Sequence, residues 1–392
     1  MVEAAVRQVM VFGATGSVGT SALDLIGRFP ERFRASVLTA NNNAASLADL
    51  ALRHRPDHVV LADEQGRSVL EDRLKGSGIN CHYGSAALVQ MATHPADMIV
   101  AAITGMAGLP STLAALETGH TVAIANKETL VAAGPVMMST ARRSGAVLIP
   151  VDSEHNAIFQ TMLPGQKKHI EEITLTASGG PFIDSTSAEL AAVTPAQAIC
   201  HPTWSMGAKI SVDSATMMNK GLEVIEAAVL FGLSEEQIKV VIHRQSVIHG
   251  MVRYSDGSVL AQLGPPDMRV PLAHALAWPE RLAWSAPPLD LAQLARLDFA
   301  DPDYDRFPAL VQARTALRAG GVVPAILNAA NEVAVAAFLE GRISFLEITS
   351  LTGHMLDNAL ARSDSVEMTD LDAVFEADTL SRNLSKAWIA QR

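Results

Sequence analysis

The sequence predicts an α/β protein that opens with a doubly wound parallel sheet, passes through a loop-rich middle and closes in a bundle of helices. Three observations predict it. Strand-like and helix-like stretches alternate from residue 8 to residue 151, and βαβ alternation implies a parallel sheet covered by helices on both faces. A glycine-rich turn, Gly13-Ala-Thr-Gly16-Ser-Val-Gly19, separates the first strand-like stretch from the first helix-like one. From Pro308 onward apolar residues recur at helical spacing.

In order, residues 8–12 read as a strand, 17–28 as a helix, 35–39 as a strand, 44–54 as a helix and 58–62 as a strand, and the series runs on to a strand at 146–151. In the first turn, glycines permit the tight bend and close backbone approach that a pyrophosphate at a helix N-terminus needs, so the turn is read as a dinucleotide site. An ordinary strand-to-helix turn is the bland alternative. The pattern is G-x-x-G-x-x-G, and the second strand ends in Thr39-Ala-Asn41-Asn42-Asn43, with no Asp or Glu for a ribose 2′-hydroxyl. That leans toward a 2′-phosphorylated cofactor, although no Arg or Lys stands in the stretch to pair with it.

Asp152 and Glu154 follow the strand at 146–151 in Val151-Asp-Ser-Glu-His155, and Glu223 lies in Asn219-Lys-Gly-Leu-Glu223. On an extended segment, side chains two apart share a face, so Asp152 and Glu154 could converge, and an all-oxygen trio would suit Mg²⁺ or Mn²⁺ better than Zn²⁺. Spacing alone leaves open a solvated pair at a strand end. Between residues 174 and 213 Ser, Thr, Gly and Pro are dense, which marks a loop-rich functional region. Residues 278–308 carry five prolines and read as a linker; 309–318, 325–340 and 344–358 read as helices.

Composition narrows the function. A net charge of −11 argues against a nucleic-acid binder, so an anionic ligand must be captured locally. The two cysteines, Cys81 and Cys200, form no disulfide framework, which fits a reducing compartment. Residues 1–12 lack the pattern of a secretory leader, and no apolar run is long enough for a membrane span. A cytoplasmic location without membrane or nucleic-acid partners is expected.

Five strings together carry a resemblance: Asn126-Lys-Glu128; Val151-Asp-Ser-Glu-His-Asn-Ala157; Ala177-Ser-Gly-Gly-Pro-Phe182; His201-Pro-Thr-Trp-Ser-Met-Gly207; and Lys209-Ile-Ser-Val-Asp-Ser-Ala-Thr-Met-Met-Asn-Lys-Gly-Leu-Glu223. With Phe307-Pro308 and Leu327-Asn-Ala-Ala-Asn-Glu-Val-Ala334, the chain resembles the 1-deoxy-D-xylulose 5-phosphate reductoisomerases over nearly its whole length. The resemblance implies a Rossmann-like NADPH domain at 1–150 and an α+β catalytic domain at 151–278 with a mobile lid at 178–207. It also implies a linker at 279–308, a helical domain at 309–392 and a homodimer built through the middle domain.

The implied reaction isomerises and reduces 1-deoxy-D-xylulose 5-phosphate to 2-C-methyl-D-erythritol 4-phosphate, using NADPH and Mg²⁺ or Mn²⁺, with Co²⁺ as a third metal. By the same resemblance Asp152, Glu154 and Glu223 hold the metal. Ser178, Ser214, Asn219 and Lys220 grip the phosphate, Ser153 and Lys127 touch the substrate hydroxyls, and Trp204 covers the substrate. The catalytic set is Lys127, Glu154, Glu223 and His201, while His155 and His249 are supporting groups. Gly13, Thr15, Gly16, Ser17, Val18, Asn41, Asn42, Asn43, Asn126, Glu128, Met206 and Gly207 meet the cofactor. The family often has a basic residue near residues 41–43, so the three asparagines predict a smaller preference for NADPH over NADH. Two other classes share such a turn. A phosphorylating semialdehyde dehydrogenase would need an activated cysteine, and a non-catalytic NADP-binding protein would need no carboxylate trio.

Overall fold

Seven parallel strands form the first sheet: β1 (Arg7–Phe12), β2 (Phe33–Ala40), β3 (His58–Leu61), β4 (Asn80–Tyr83), β5 (Met98–Ala101), β6 (Thr121–Ile124) and β7 (Val147–Pro150), in the order β4-β3-β2-β1-β5-β6-β7. They appear in a computed structural model that describes residues 5–204, 206–361 and 371–392. Val9, Met10, Val11 and Phe12 are fully buried in succession, as a central strand covered on both faces requires. Strand order reverses between β1 and β5, so the crevice at their carboxyl ends is a ligand position for a sheet of this kind. The expected strands and helices of this part lie within three residues of the observed ones. β2 begins earlier than its apolar core because Arg7 and Gln8 hold Phe33 and Arg34 in register.

A second sheet comprises β8 (Ile170–Ala177), β9 (Ile238–Ile242), β10 (Ile248–Tyr254) and β11 (Val259–Leu263), in the order β11-β10-β8-β9. β8 pairs parallel with β9 and antiparallel with β10. One face packs on the helix Met218–Phe231, where Val224, Ala227 and Phe231 meet Ile173, Leu175 and Val240. The same helix lies close to the helix Ala309–Ala319, since a Cβ on Gly221 would stand 2.8 Å from that of Ala313. The C-terminal helices Val323–Leu339, Phe345–Ala361 and Leu371–Ala390 complete this part.

The chain divides into two compact units that interleave along the sequence. One contains the first sheet and is built from residues up to Asn126, Met137–Asn156 and Met268–Ala286. The other contains the second sheet and the helical C-terminal part, from Lys127–Val136, Ala157–Asp267 and Pro287–Arg392. The helix Lys127–Ser144 kinks where the chain passes from one to the other, with Ala133 at φ −130° and Pro135 inside. Proline has no N–H to donate and its ring clashes with the carbonyl four residues back, which is what bends the helix. No helix among the described residues is long and apolar enough to cross a membrane.

Candidate functional site

In the first unit the glycine turn leads from β1 into the helix Ser17–Arg28. Gly13 has φ +84°, and a Cβ there would stand 2.5 Å from the Ala102 carbonyl oxygen beyond β5. Gly13 and Ala14 donate to Thr39 at the end of β2, at 3.0 Å to Oγ1 and 2.8 Å to the carbonyl. The helix has Gly16 at its N-cap, no side-chain cap and no acidic residue in its first turn. Its amide groups and dipole therefore suit an anion. A Cβ on Gly19 would run into the Gly13 carbonyl and stand 2.7 Å from Ala14 Cα. Gly19→Ala should push this helix off the turn and raise the KM for NADPH at least about tenfold, with the substrate KM little changed; an unaltered KM for NADPH in steady-state kinetics would reject the assignment.

Asn126 donates to the carbonyls of Ile103 and Gly105, pinning the loop after β5 beside the sheet's reversal point. Asn43 caps the helix Ala44–His54, its Oδ1 accepting from Ser46 N at 3.0 Å, while Asn41 and Asn42 are exposed. β7 delivers Asp152, Ser153 and Glu154. Here the expected geometry is corrected: the chain does not stay extended, because the helix Ser153–Thr161 starts at once and the Asp152 carbonyl already accepts from Asn156 N at 2.8 Å. Asp152 is thus a helix-start residue and Glu154 a first-turn residue, whose Oε2 accepts from Ser153 Oγ at 2.6 Å. His155 is fully buried, with a ring nitrogen within 4.8 Å of an Asp152 carboxylate oxygen.

In the second unit the helix Met218–Phe231 is buried on nearly every side, yet it carries Lys220, Glu223 and Glu226, all under 4% exposed. Charges are rarely buried this way without a task. Glu223 accepts from Asn219 Nδ2 at 2.6 Å and pairs with Lys220, while the Lys127 ammonium stands 3.8 Å off. Helix packing accounts for that last neighbour. A Cβ on Gly134 would stand 2.6 Å from Val229, so the two helices touch there, and about two turns earlier on each Lys127 faces Glu223. Met217, with φ +64°, makes the sharp link from the helix Ala208–Ala215 and sets Ser214 and Asn219 on either side of one turn.

Ser178 joins this group through its neighbour, because a Cβ on Gly180 would stand 2.7 Å from the Ser214 carbonyl oxygen. Ser178 Oγ accepts from Gly180 N at 3.2 Å and lies 2.9 Å from His201 Nε2. The other ring nitrogen, Nδ1, accepts from the backbone N–H of Thr203 and Trp204 at 3.1 and 2.9 Å. Two donors on Nδ1 assign the proton to Nε2, so His201 is neutral and donates to Ser178. Burial pushes the imidazole below its ordinary 6.5. A depressed value means the arrangement is intact above pH 6.5 and lost as pH falls through the lower folded value. Substrate KM should accordingly rise on the acid side, and His201→Asn should give a KM raised about tenfold and flat with pH; a wild-type acid limb persisting in that variant would overturn the assignment.

Much of the segment 178–207 is anchored. Phe182 meets Phe345 edge-on at 5.4 Å, and Leu190 and Ala198 join the core of the C-terminal helices. Ile199, Cys200 and Pro202 are exposed, while Trp204 is half-buried, 6.2 Å from the His249 ring. Met206 is half-buried, and Gly207 caps the helix Ala208–Ala215.

Residue order did not single out Lys209, Asp213 or Asn331. Lys209 Nζ lies 2.7 Å from Glu128 Oε1 and 2.9 Å from Asp213 Oδ2, and Asn331 donates to Asp213 Oδ1 at 2.7 Å. Burial alone would raise the Glu128 carboxyl, but the Lys209 charge and hydrogen bond, with Lys127 adding, hold it down at about 2. The available signal was the Lys209/Asp213 spacing on one helix face. Glu226 was missed in the same way, a carboxylate one turn beyond Glu223.

Three sequence models match in chain order: "1-deoxy-D-xylulose 5-phosphate reductoisomerase" over residues 9–134, its C-terminal domain over 148–231, and "DXP reductoisomerase C-terminal domain" over 263–384. The chain is 53% identical to the 1-deoxy-D-xylulose 5-phosphate reductoisomerase of Rhodospirillum centenum over 385 residues, 98% of this chain and 95% of that protein. It is 51% identical to the Pseudomonas fluorescens enzyme of the same name, covering 98% of each. Among solved structures, the Zymomonas mobilis enzyme in complex with NADPH superposes with TM-score 0.92 at 48% identity, covering 98% of this chain and 99% of that one. A DOX-P reductoisomerase in complex with NADPH, fosmidomycin and magnesium gives TM-score 0.94 at 41% identity, with 98% of each covered.

Proposed function

The chain belongs to the 1-deoxy-D-xylulose 5-phosphate reductoisomerase family, and on that footing we propose how its residues share the reaction. It is an oxidoreductase and isomerase that depends on NADPH and a divalent metal ion. It converts 1-deoxy-D-xylulose 5-phosphate to 2-C-methyl-D-erythritol 4-phosphate in isoprenoid precursor synthesis. The residues present fit both cofactors. No side chain stands on Gly13 or Gly19, no acid in the first turn of Ser17–Arg28 opposes a pyrophosphate, and the carboxylates offer the all-oxygen donors that Mg²⁺ or Mn²⁺ takes. When bound, NADPH supplies hydride and the dication polarises the substrate oxygens.

In this reading Asp152, Glu154 and Glu223 hold the ion. Lys127, its ammonium 3.8 Å from Glu223, stabilises the negative charge that develops on a substrate oxygen, with Ser153 positioning a hydroxyl. Ser178, Ser214, Asn219 and Lys220 hold the phosphate with hydroxyl, amide and ammonium donors, helped by the N-terminus of the helix Met218–Phe231, which has no acidic first-turn residue. Neutral His201 orients the Ser178 hydroxyl, and Trp204 covers the substrate and excludes water from it. Gly13, Thr15, Gly16, Ser17, Val18, Asn41, Asn42, Asn43, Asn126, Glu128, Met206 and Gly207 receive NADPH. The nucleophilic-cysteine alternative finds no support. Burial raises the Cys81 thiol, the opposite of activation, and Cys200 is exposed and donates to the Ala196 carbonyl.

The observation that carries the reading is Glu223, 1% exposed in a buried helix and ringed by Lys127, Asn219 and Lys220. Its test is NADPH oxidation with 1-deoxy-D-xylulose 5-phosphate. A chelator should stop turnover and Mg²⁺ or Mn²⁺ should restore it; turnover indifferent to chelator would sink the reading. To this reading belong, as further parts of the proposal, the domain roles expected from the sequence and a cytoplasmic homodimer formed through the middle domain, which holds the second sheet. Half-buried Met251, exposed Ala261 and Val259, 53% exposed, share a face there. A single-chain mass in sedimentation equilibrium would reject the dimer.

A further inference from the structure

Three histidines that the reaction does not use gather on β3, β4 and the turn that follows. His58 opens β3, and His82 on β4 pairs in register with Val60. Residues two apart on a strand share a face, so His58 and His82 stand on the same side of the sheet. Their facing nitrogens, His58 Nδ1 and His82 Nε2, are 3.0 Å apart. His94, just beyond the helix Gly84–Ala92, brings a third ring within 5.1 Å of His58, centroid to centroid, the same separation as His58 to His82. His58 and His82 are half-buried and His94 is exposed. Asp57, which precedes His58, is committed to a two-pronged pair with Arg34 at 2.5 and 2.7 Å.

We propose that His58, His82 and His94 bind a transition-metal dication of the Zn²⁺ or Ni²⁺ class at the β3–β4 edge of the seven-stranded sheet. Imidazole nitrogens suit these ions and not Mg²⁺. With metal–nitrogen bonds of about 2.0–2.1 Å, two ligands at a right angle stand about 2.9 Å apart and two at a tetrahedral angle about 3.3 Å apart. The 3.0 Å pair lies within that span, so small ring rotations aim both lone pairs at one ion. One of the two facing nitrogens carries a proton, which moves to that ring's other nitrogen as the metal binds, with no change in net charge. His94, on an exposed segment, swings in as the third donor. The bound ion ties the edge strand β4 to β3, two strands removed from the cofactor crevice.

The test uses the full untagged chain, titrated with Zn²⁺ against a chromophoric chelator, as wild type, His82→Asn and His94→Gln. Wild type should bind one Zn²⁺ more than either variant and be retained on a Ni²⁺-charged resin that both variants pass through. NADPH-oxidation rates in zinc-free, Mg²⁺-containing buffer should be the same for all three. Equal Zn²⁺ stoichiometry in the three chains overturns the proposal. His94→Gln changes an exposed residue, so its result stands even if His82→Asn disturbs the edge strand.

Discussion

Glu223→Gln should lower turnover about a thousandfold, the effect expected from several kcal/mol of lost metal-dependent stabilisation, while NADPH still binds. The substitution keeps the side chain's shape and the oxygen that accepts from Asn219 Nδ2 at 2.6 Å, but it deletes the charge between two ammonium groups. Lys127 and Lys220 are 6% and 3% exposed, so some loss of thermal stability accompanies the change. Titrating NADPH by fluorescence on the same sample separates the two effects, because the glycine turn belongs to the other unit. The outcome that defeats the assignment is a folded, NADPH-binding Glu223→Gln enzyme with near-normal, Mg²⁺-stimulated turnover.

The second large effect is expected at a residue with no assigned part in the chemistry. Lys209→Met should destabilise the chain by about 1–2 kcal/mol, less than for a fully buried ion pair because the Lys209 side chain is 31% exposed and water screens its charge. Methionine fills the space but leaves Glu128 and Asp213, 8% and 2% exposed at the side chain, without the ammonium 2.7 and 2.9 Å away. The pH dependence distinguishes this from simple misfit. Glu128 is held at about 2 against an ordinary 4.5, so its contribution is present above pH 4.5 and lost as pH falls toward 2. Without Lys209, burial would move the group the other way. The gap in melting temperature between wild type and Lys209→Met should therefore be widest near neutral pH and shrink below pH 4.5; a gap independent of pH would assign Lys209 to packing alone. Because Glu128 adjoins Lys127 and Asp213 adjoins Ser214 in the chain, the same variant should also raise the substrate KM.

Residue order disclosed much of the fold for a simple reason. A buried parallel strand needs an unbroken apolar run, and a surface helix needs apolar residues at a period near 3.6, so β1 and the helices Ser17–Arg28 and Ala44–His54 are readable from the chain alone. The glycine turn was equally legible, because close backbone approach at Gly13 and Gly19 tolerates no Cβ. Asp152 and Glu154 were singled out by residue type, and their local conformation was misread. A strand continuing past Pro150 and a helix starting at Ser153 predict the same two carboxylates, and only the local hydrogen bond from Asn156 to Asp152 separates them.

Period and composition thus suffice for which segments become strands or helices, and for which residue types are available to grip a phosphate or a dication. They are silent on Lys127 meeting Glu223, on Gly180 lying against the Ser214 carbonyl, on His201 holding its proton at Nε2, and on Lys209 bridging Glu128 and Asp213. The meetings of Lys127 with Glu223 and of Lys209 with Glu128 join positions far apart along the chain, and only packing between helices brings them together. The free energy of such contacts comes from burial and from charges brought within a few ångströms, quantities that no single stretch of residues possesses before the chain folds.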